Sequence, residues 1–159
     1  TNVLGEFVLT WDGASSRVSS IAYPNGQTTT LSYHPNAKDR RLQQISHFRP
    51  NASLLSRFTY DYDAVRQITD WTQERAGSAP VLHLYDYDGA DQLIADSATQ
   101  GGGPAGSTAF EYDEAQNLLR ETINGSSREL RYNVLDEPVA VEGETAAMRD
   151  FEWDAENRL

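Results

Sequence analysis

The chain has no cysteine. Disulfides and thiolate metal sites are therefore excluded, and the redox compartment is left undecided. No apolar run approaches the roughly 20 residues that cross a bilayer. Cationic side chains are few: 13 Lys and Arg stand against 24 Asp and Glu, a formal net charge of −11. Phosphate binding needs clustered Lys and Arg, so nucleic acid is excluded as a partner, and so are anionic membrane surfaces and membrane insertion. The hydrophobic fraction is 38% and mean hydropathy is −0.61, both low for a compact globule and suited to a sheet with much of both faces in water. The three histidines, His34, His47 and His83, lack metal-binding spacing and read as surface residues. No Gly-x-Ser-x-Gly elbow is present. Gly101-Gly102-Gly103-Pro104 lacks the Lys and Ser/Thr that make a glycine loop hold phosphate. No stretch carries a convincing long helix, although 145–150 could hold one turn. These absences predict no catalytic residue, no cofactor and no metal.

What is present is one short pattern that returns. It runs aromatic, any residue, Tyr or Trp, Asp, three loose residues, a polar residue, then an aliphatic one. Clear copies are Phe58–Ile68, Tyr85–Leu93, Phe110–Leu118 and Phe151–Leu159. Weaker copies begin at Leu130, where Asn133 replaces Asp, and at Leu9 and Leu31, where insertions follow. The anchors are Trp11, Tyr33, Tyr62, Tyr87, Tyr112, Tyr132 and Trp153, spaced 20 to 29 residues apart. A period of that size held along the chain signals a repeat architecture, each unit burying its apolar face against its neighbours.

The residues Tyr62-Asp63…Gln67-Ile68, Tyr87-Asp88-Gly89…Gln92-Leu93, Tyr112-Asp113…Asn117-Leu118 and Trp153-Asp154…Asn157-Arg158-Leu159 resemble the YD repeat of the Rhs family. The family pattern is roughly Tyr-Asp-x-x-Gly-Arg-Leu. This chain departs from it at the Gly and, except at Arg158, at the Arg. The resemblance covers nearly the whole chain. It implies a β-sheet strip that, in Rhs-like proteins, teneurins and insecticidal toxin-complex subunits, coils into a hollow shell around a toxic or otherwise processed C-terminal domain.

Turn signals give the same rhythm. Asp12–Ser16, Pro24-Asn25-Gly26, Pro50-Asn51, Gly77 and Asn124-Gly125 break up alternating apolar and polar runs, as turns between half-buried strands do. Residues 97–109, rich in Gly, read as one long flexible loop between adjacent strands. The expectation is an all-β antiparallel meander of about a dozen strands, two per repeat. Within each repeat Phe58, Tyr60 and Tyr62, or Phe110 and Tyr112, share a face, because side chains alternate along a strand. The motif Asp closes the following turn as an Asx-turn does. In the return strands Val18 and Ile21, Leu42 and Ile45, and Ile68 and Trp71 lie three apart rather than two. A bulge or a late strand start would each produce that spacing.

Residues 1–159 thus read as a single array of about seven motif copies. The chain starts at Thr1 without an initiating Met or a targeting signal and ends within a repeat, so it is expected to be a fragment of a longer, secreted or cell-surface polypeptide. Asp61 with Asp63, and Asp86 with Asp88, place carboxylates in pairs. Their recurrence favours a structural role over a calcium site or an acid/base pair. Asn51 and Asn124 begin glycosylation sequons. The expected partners are flanking repeats of the parent polypeptide and an enclosed toxin or cargo domain. The second function class is a binding module for carbohydrate or protein, with exposed Trp as a stacking platform. Trp11 and Trp153 occupy motif positions, which leaves Trp71 as the candidate for ligand stacking.

Overall fold

The computed structural model describes residues 5–143 and 149–153. Among them thirteen strands pair in sequence order, every determined pairing antiparallel. They are β1 (Val8–Trp11), β2 (Val18–Ala22), β3 (Thr28–Tyr33), β4 (Leu42–Phe48), β5 (Leu54–Tyr62), β6 (Ile68–Arg75), β7 (Val81–Tyr87), β8 (Leu93–Gln100), β9 (Gly103–Tyr112), β10 (Leu118–Ile123), β11 (Ser126–Tyr132), β12 (Pro138–Gly143) and β13 (Arg149–Asp150). One three-residue 3-10 turn, Asn36–Lys38, is the only helical piece among the described residues. The all-β meander read from the sequence is the fold. No helix among these residues is long and apolar enough to cross a membrane.

The chain divides into two compact units, the first running to His83 with Thr99–Gly103, the second Leu84–Ala98 with the residues from Pro104 on. In the first, the register places Leu9, Ile21, Thr29 and His47 opposite one another in turn. Ile45 opposes Leu31 and Phe58, and Tyr60 opposes Trp71. Cross-strand partners share a face, so this face is aromatic and aliphatic. The other face carries the polar row Thr10, Ser20, Thr30, Ser46, Arg57 and Glu74. Ser46 is 1% exposed, held by Gln44 Nε2 at 3.1 Å, and Arg57 reaches on to Glu74 at 3.1 Å. In the second unit Phe110, Tyr112, Leu118, Leu130, Tyr132, Pro138 and Val141 share one face. On the other face Arg120 bridges Glu111 and Glu129.

The described hydrophobic side chains are mostly half-buried or exposed, and only Ala98 and Ala140 among them are buried. This is a sheet held by lateral stacking of neighbouring strands, which is why the low hydrophobic content suffices.

Two local expectations are corrected. Residues 97–109 are not a long loop. β8 runs to Gln100 and β9 starts at Gly103, joined through Gly101 and Gly102 at φ +60° and +84°. Two positive φ values make a tight hairpin turn that only glycine adopts freely, so the small residues serve one sharp reversal and extended backbone on either side of it. The one-turn helix at 145–150 falls largely on residues outside those described, and 149–150 is strand.

Candidate functional site

The motif Asp or Asn does one job in four copies, whereas Asp12 pairs with Arg40 instead. Asp63 Oδ1 accepts from Val65 N–H and Gln67 N–H, both at 2.9 Å. Asp88 Oδ1 accepts from Ala90 N–H at 2.8 Å and Gln92 N–H at 2.9 Å. Asp113 Oδ1 accepts from Asn117 N–H at 2.8 Å, and these bonds to its carboxylate, Asn117 first, hold its pKa below the ordinary carboxylate value. Asn133, the substitute, accepts from Leu135 N–H and Glu137 N–H at 2.9 and 3.1 Å. A single oxygen closing a five-residue turn needs no charge, which is why Asn serves. Asp154 lies outside the described residues.

The third loose residue of each turn has positive φ: Arg66 +82°, Asp91 +64°, Gln116 +70° and Asp136 +60°. This is the position of the Gly in the pattern the chain resembles. Left-handed backbone costs an L residue roughly 1–2 kcal/mol, so four turns are held against that cost by the Asp or Asn bonds.

Just after the turn, five of the return strands, β2, β4, β6, β10 and β12, carry a bulge. Trp11 pairs with Val18 and Thr10 with Ser20, skipping Ser19. Gln43 is skipped opposite Tyr33, Thr69 opposite Tyr62, Leu119 opposite Tyr112 and Val139 opposite Tyr132. The three-residue spacings in the sequence are these bulges; both ends of each spacing return to the aromatic face.

The bulge explains the anchor residue. Tyr33 Oη donates to Val18 O at 2.8 Å, Tyr112 Oη to Leu93 O at 2.9 Å, Tyr132 Oη to Leu118 O at 3.1 Å and Trp153 Nε1 to Pro138 O at 2.7 Å. In each case the acceptor is the first residue of the preceding hairpin's return strand, and Val18, Leu118 and Pro138 stand beside the bulge where the ladder slips. Where the bond is made, the anchor needs a donor at its far end, which Tyr and Trp carry and Phe lacks. Burial of the rings pushes the Tyr62, Tyr112 and Tyr132 phenols above their usual pKa. Arg17 lies over the Tyr33 ring and Arg41 over Tyr62, at 5.7 and 5.5 Å. Tyr87 ends β7 half-buried. Trp11 differs: it is 53% exposed on the edge strand β1.

His34 corrects the expectation of surface histidines. It stands where the motif has Asp and is 6% exposed. Its Nε2 lies 3.0 Å from Tyr60 O, and its backbone N–H bonds Arg41 O across the longer loop. Asp61, beside it, is bound by Lys38 at 2.7 Å, which with the Tyr62 N–H lowers its pKa. Trp71 is flanked by Phe58, stacked at 6.4 Å, and by His83 at 4.8 Å; its indole nitrogen is buried without a hydrogen-bond partner. Among the described residues no three His, Asp or Glu side chains converge as metal ligands would.

No family model matches the chain, and no curated protein does. Solved structures do. The crystal structure of TcdB2–TccC3–Cdc42 matches over 86% of this chain at 15% identity and TM-score 0.72. A Photorhabdus luminescens Tc holotoxin pore with a mutated TccC3 matches over 94% at 16% identity and TM-score 0.60. The chain spans 7% and 10% of those chains' lengths. At these identities the likeness is one of fold: an all-β antiparallel strip like segments of Tc toxin chains.

Proposed function

We propose that the chain is one array of YD-type repeats, a structural segment of a β-shell that encloses a cargo or toxin domain of a secreted or cell-surface polypeptide. The observation that carries this reading is the bond that Tyr33, Tyr112, Tyr132 and Trp153 each make to the first carbonyl of the preceding hairpin's return strand. That bond has no use in a lone hairpin; it joins repeats into a strip. Flanking repeats of the parent polypeptide are the natural partners on the same geometry. The carboxylates fit structural duty, since Asp63 and Asp88 spend an oxygen on turn N–H groups, so no catalytic role is assigned. The fold likeness to Tc toxin chains supports the same reading. Carbohydrate stacking on Trp71 is disfavoured by the aromatic rings that flank it.

The test is cryo-electron microscopy of the full-length polypeptide, with limited proteolysis of its C-terminal domain. The expected result is this segment within a closed wall and a protected C-terminal domain. A C-terminal domain cleaved as fast as when expressed alone would sink the shell reading. Glycan-array binding lost in Trp71→Ala would favour the binding module instead.

A further inference from the structure

We propose that Asn124 is a modification site: its side-chain amide is lost spontaneously through a succinimide, leaving aspartate or isoaspartate, while Asn25 in the same Asn-Gly sequence is spared. Both asparagines precede a glycine and both are exposed. Glycine offers the least hindered backbone nitrogen to the side-chain carbonyl one residue back, so the dipeptide alone does not separate them. The hydrogen bonds do. Gly26 N–H donates to Tyr23 O at 2.9 Å. Asn25 Oδ1 accepts from Gln27 N–H at 3.0 Å, and Asn25 Nδ2 donates to Gln27 Oε1 at 3.0 Å. The nucleophile and the leaving group are both held there. At the tip between β10 and β11, Asn124 and Gly125 take φ +50° and +87°, the two positive values of a type I′ turn. Among the described residues the Gly125 N–H has no acceptor. Asn124 Oδ1 accepts from Ser107 N–H at 2.9 Å, and Asn124 N–H donates to Ser107 O at 2.8 Å. The Asn124 Nδ2 group has no partner among the described residues.

An amide proton bonded to a carbonyl is harder to remove, because the bond favours the neutral form. The unbonded Gly125 N–H gives its proton to hydroxide more readily. The nitrogen then attacks Asn124 Cγ. The bond from Ser107 polarises that carbonyl and steadies the negative oxygen that forms, as an oxyanion donor does. The Cγ–Nδ2 bond breaks, and Nδ2 takes a proton from water and leaves as ammonia, restoring the hydroxide. A five-membered succinimide remains. Water opens it at Cγ to give aspartate, or at the Asn124 main-chain carbonyl to give isoaspartate. The net change is one water in and one ammonia out, with nothing oxidised or reduced. Isoaspartate routes the main chain through Cγ. It thereby adds a methylene to a two-residue turn whose strands meet at Ile123 and Ser126. The turn lies inside the chain with strands on both sides of it, and the reaction is independent of the shell reading.

The test is peptide mapping of the folded chain held in mildly alkaline buffer. Trypsin releases Glu121–Arg128, in which Asn124 is the one asparagine, and Val18–Lys38, in which fragment masses separate Asn25 from Asn36. Conversion is read as the mass gain of amide to acid, and isoaspartate as methylation by isoaspartyl methyltransferase. In the folded chain Asn124 should convert at least about tenfold faster than Asn25, whose nucleophile and leaving group must each first break a hydrogen bond. In urea, where only the shared Asn-Gly sequence remains, the two should convert at comparable rates. An Asn124 that stays intact in the folded chain, equal rates at the two sites there, faster loss at Asn25, or a difference that persists in urea overturns the proposal.

Discussion

At the scale of single residues, the anchor's donor atom and the turn's acceptor atom can each be removed without removing the side chain's bulk. Tyr112→Phe keeps the ring and loses the bond to Leu93 O. It should cost about 0.5–1.5 kcal/mol in urea denaturation, the net worth of one such bond. The Tyr112 phenol is raised by burial. Its contribution is therefore complete below the unfolded phenol pKa and is lost as pH rises through the folded value. Tyr112→Phe should flatten that alkaline limb. Asp113 behaves oppositely: its lowered pKa means stability present above the ordinary carboxylate value and lost as pH falls through the lower folded one. Asp113→Asn should leave the neutral-pH midpoint nearly unchanged, as Asn133 shows by example, and remove that acid dependence. Gln116→Gly should stabilise by about 0.5–1 kcal/mol, the relief of left-handed strain less the greater freedom of glycine when unfolded. A midpoint moved downward would mean that the turn does not carry the strain its φ implies.

At the scale of strands and turns, much was legible and the omissions have physical causes. The turn role of Asp was readable because an Asx-turn is local in sequence. The preference for Tyr or Trp over Phe could be seen, but its reason could not, because the acceptor lies in the preceding hairpin. The spacing of Ile68 and Trp71 announced a departure from alternation; only the pairing of Tyr62 with Ile68 and Asp61 with Asp70 identifies it as a bulge at Thr69. Gly101 to Gly103 misled because composition alone does not separate a floppy loop from a sharp turn between long strands. His34 stood in the Asp position of a weak copy, but its burial was not legible because the Tyr60 carbonyl beside its ring lies in the next hairpin. Deleting Leu119 would restore plain alternation in β10 and remove the bulge whose neighbouring carbonyl receives Tyr132. A double-mutant cycle of this deletion with Tyr132→Phe should be non-additive, the second change costing little once the first is made. Fully additive losses would separate the bulge from the phenol.

At the scale of the whole molecule, the described strands pair with their sequence neighbours, so stability is built from units and the junctions between them. The turns that begin at Asp113 and Asn133 have interchangeable bonding, and Tyr112 and Tyr132 hold equivalent pairings with Leu118 and Pro138. Residues 113–132 can therefore be excised in one piece, splicing Tyr112 directly to Asn133. The spliced chain should still fold cooperatively, with a denaturant slope reduced in proportion to its length, and an excision from the same start cut five residues short, which joins Tyr112 to Arg128 and loses the turn, should not. The chain is in this sense punctuated text: whole clauses can be struck out or copied in at the marks, while a shift of a few letters leaves no sentence.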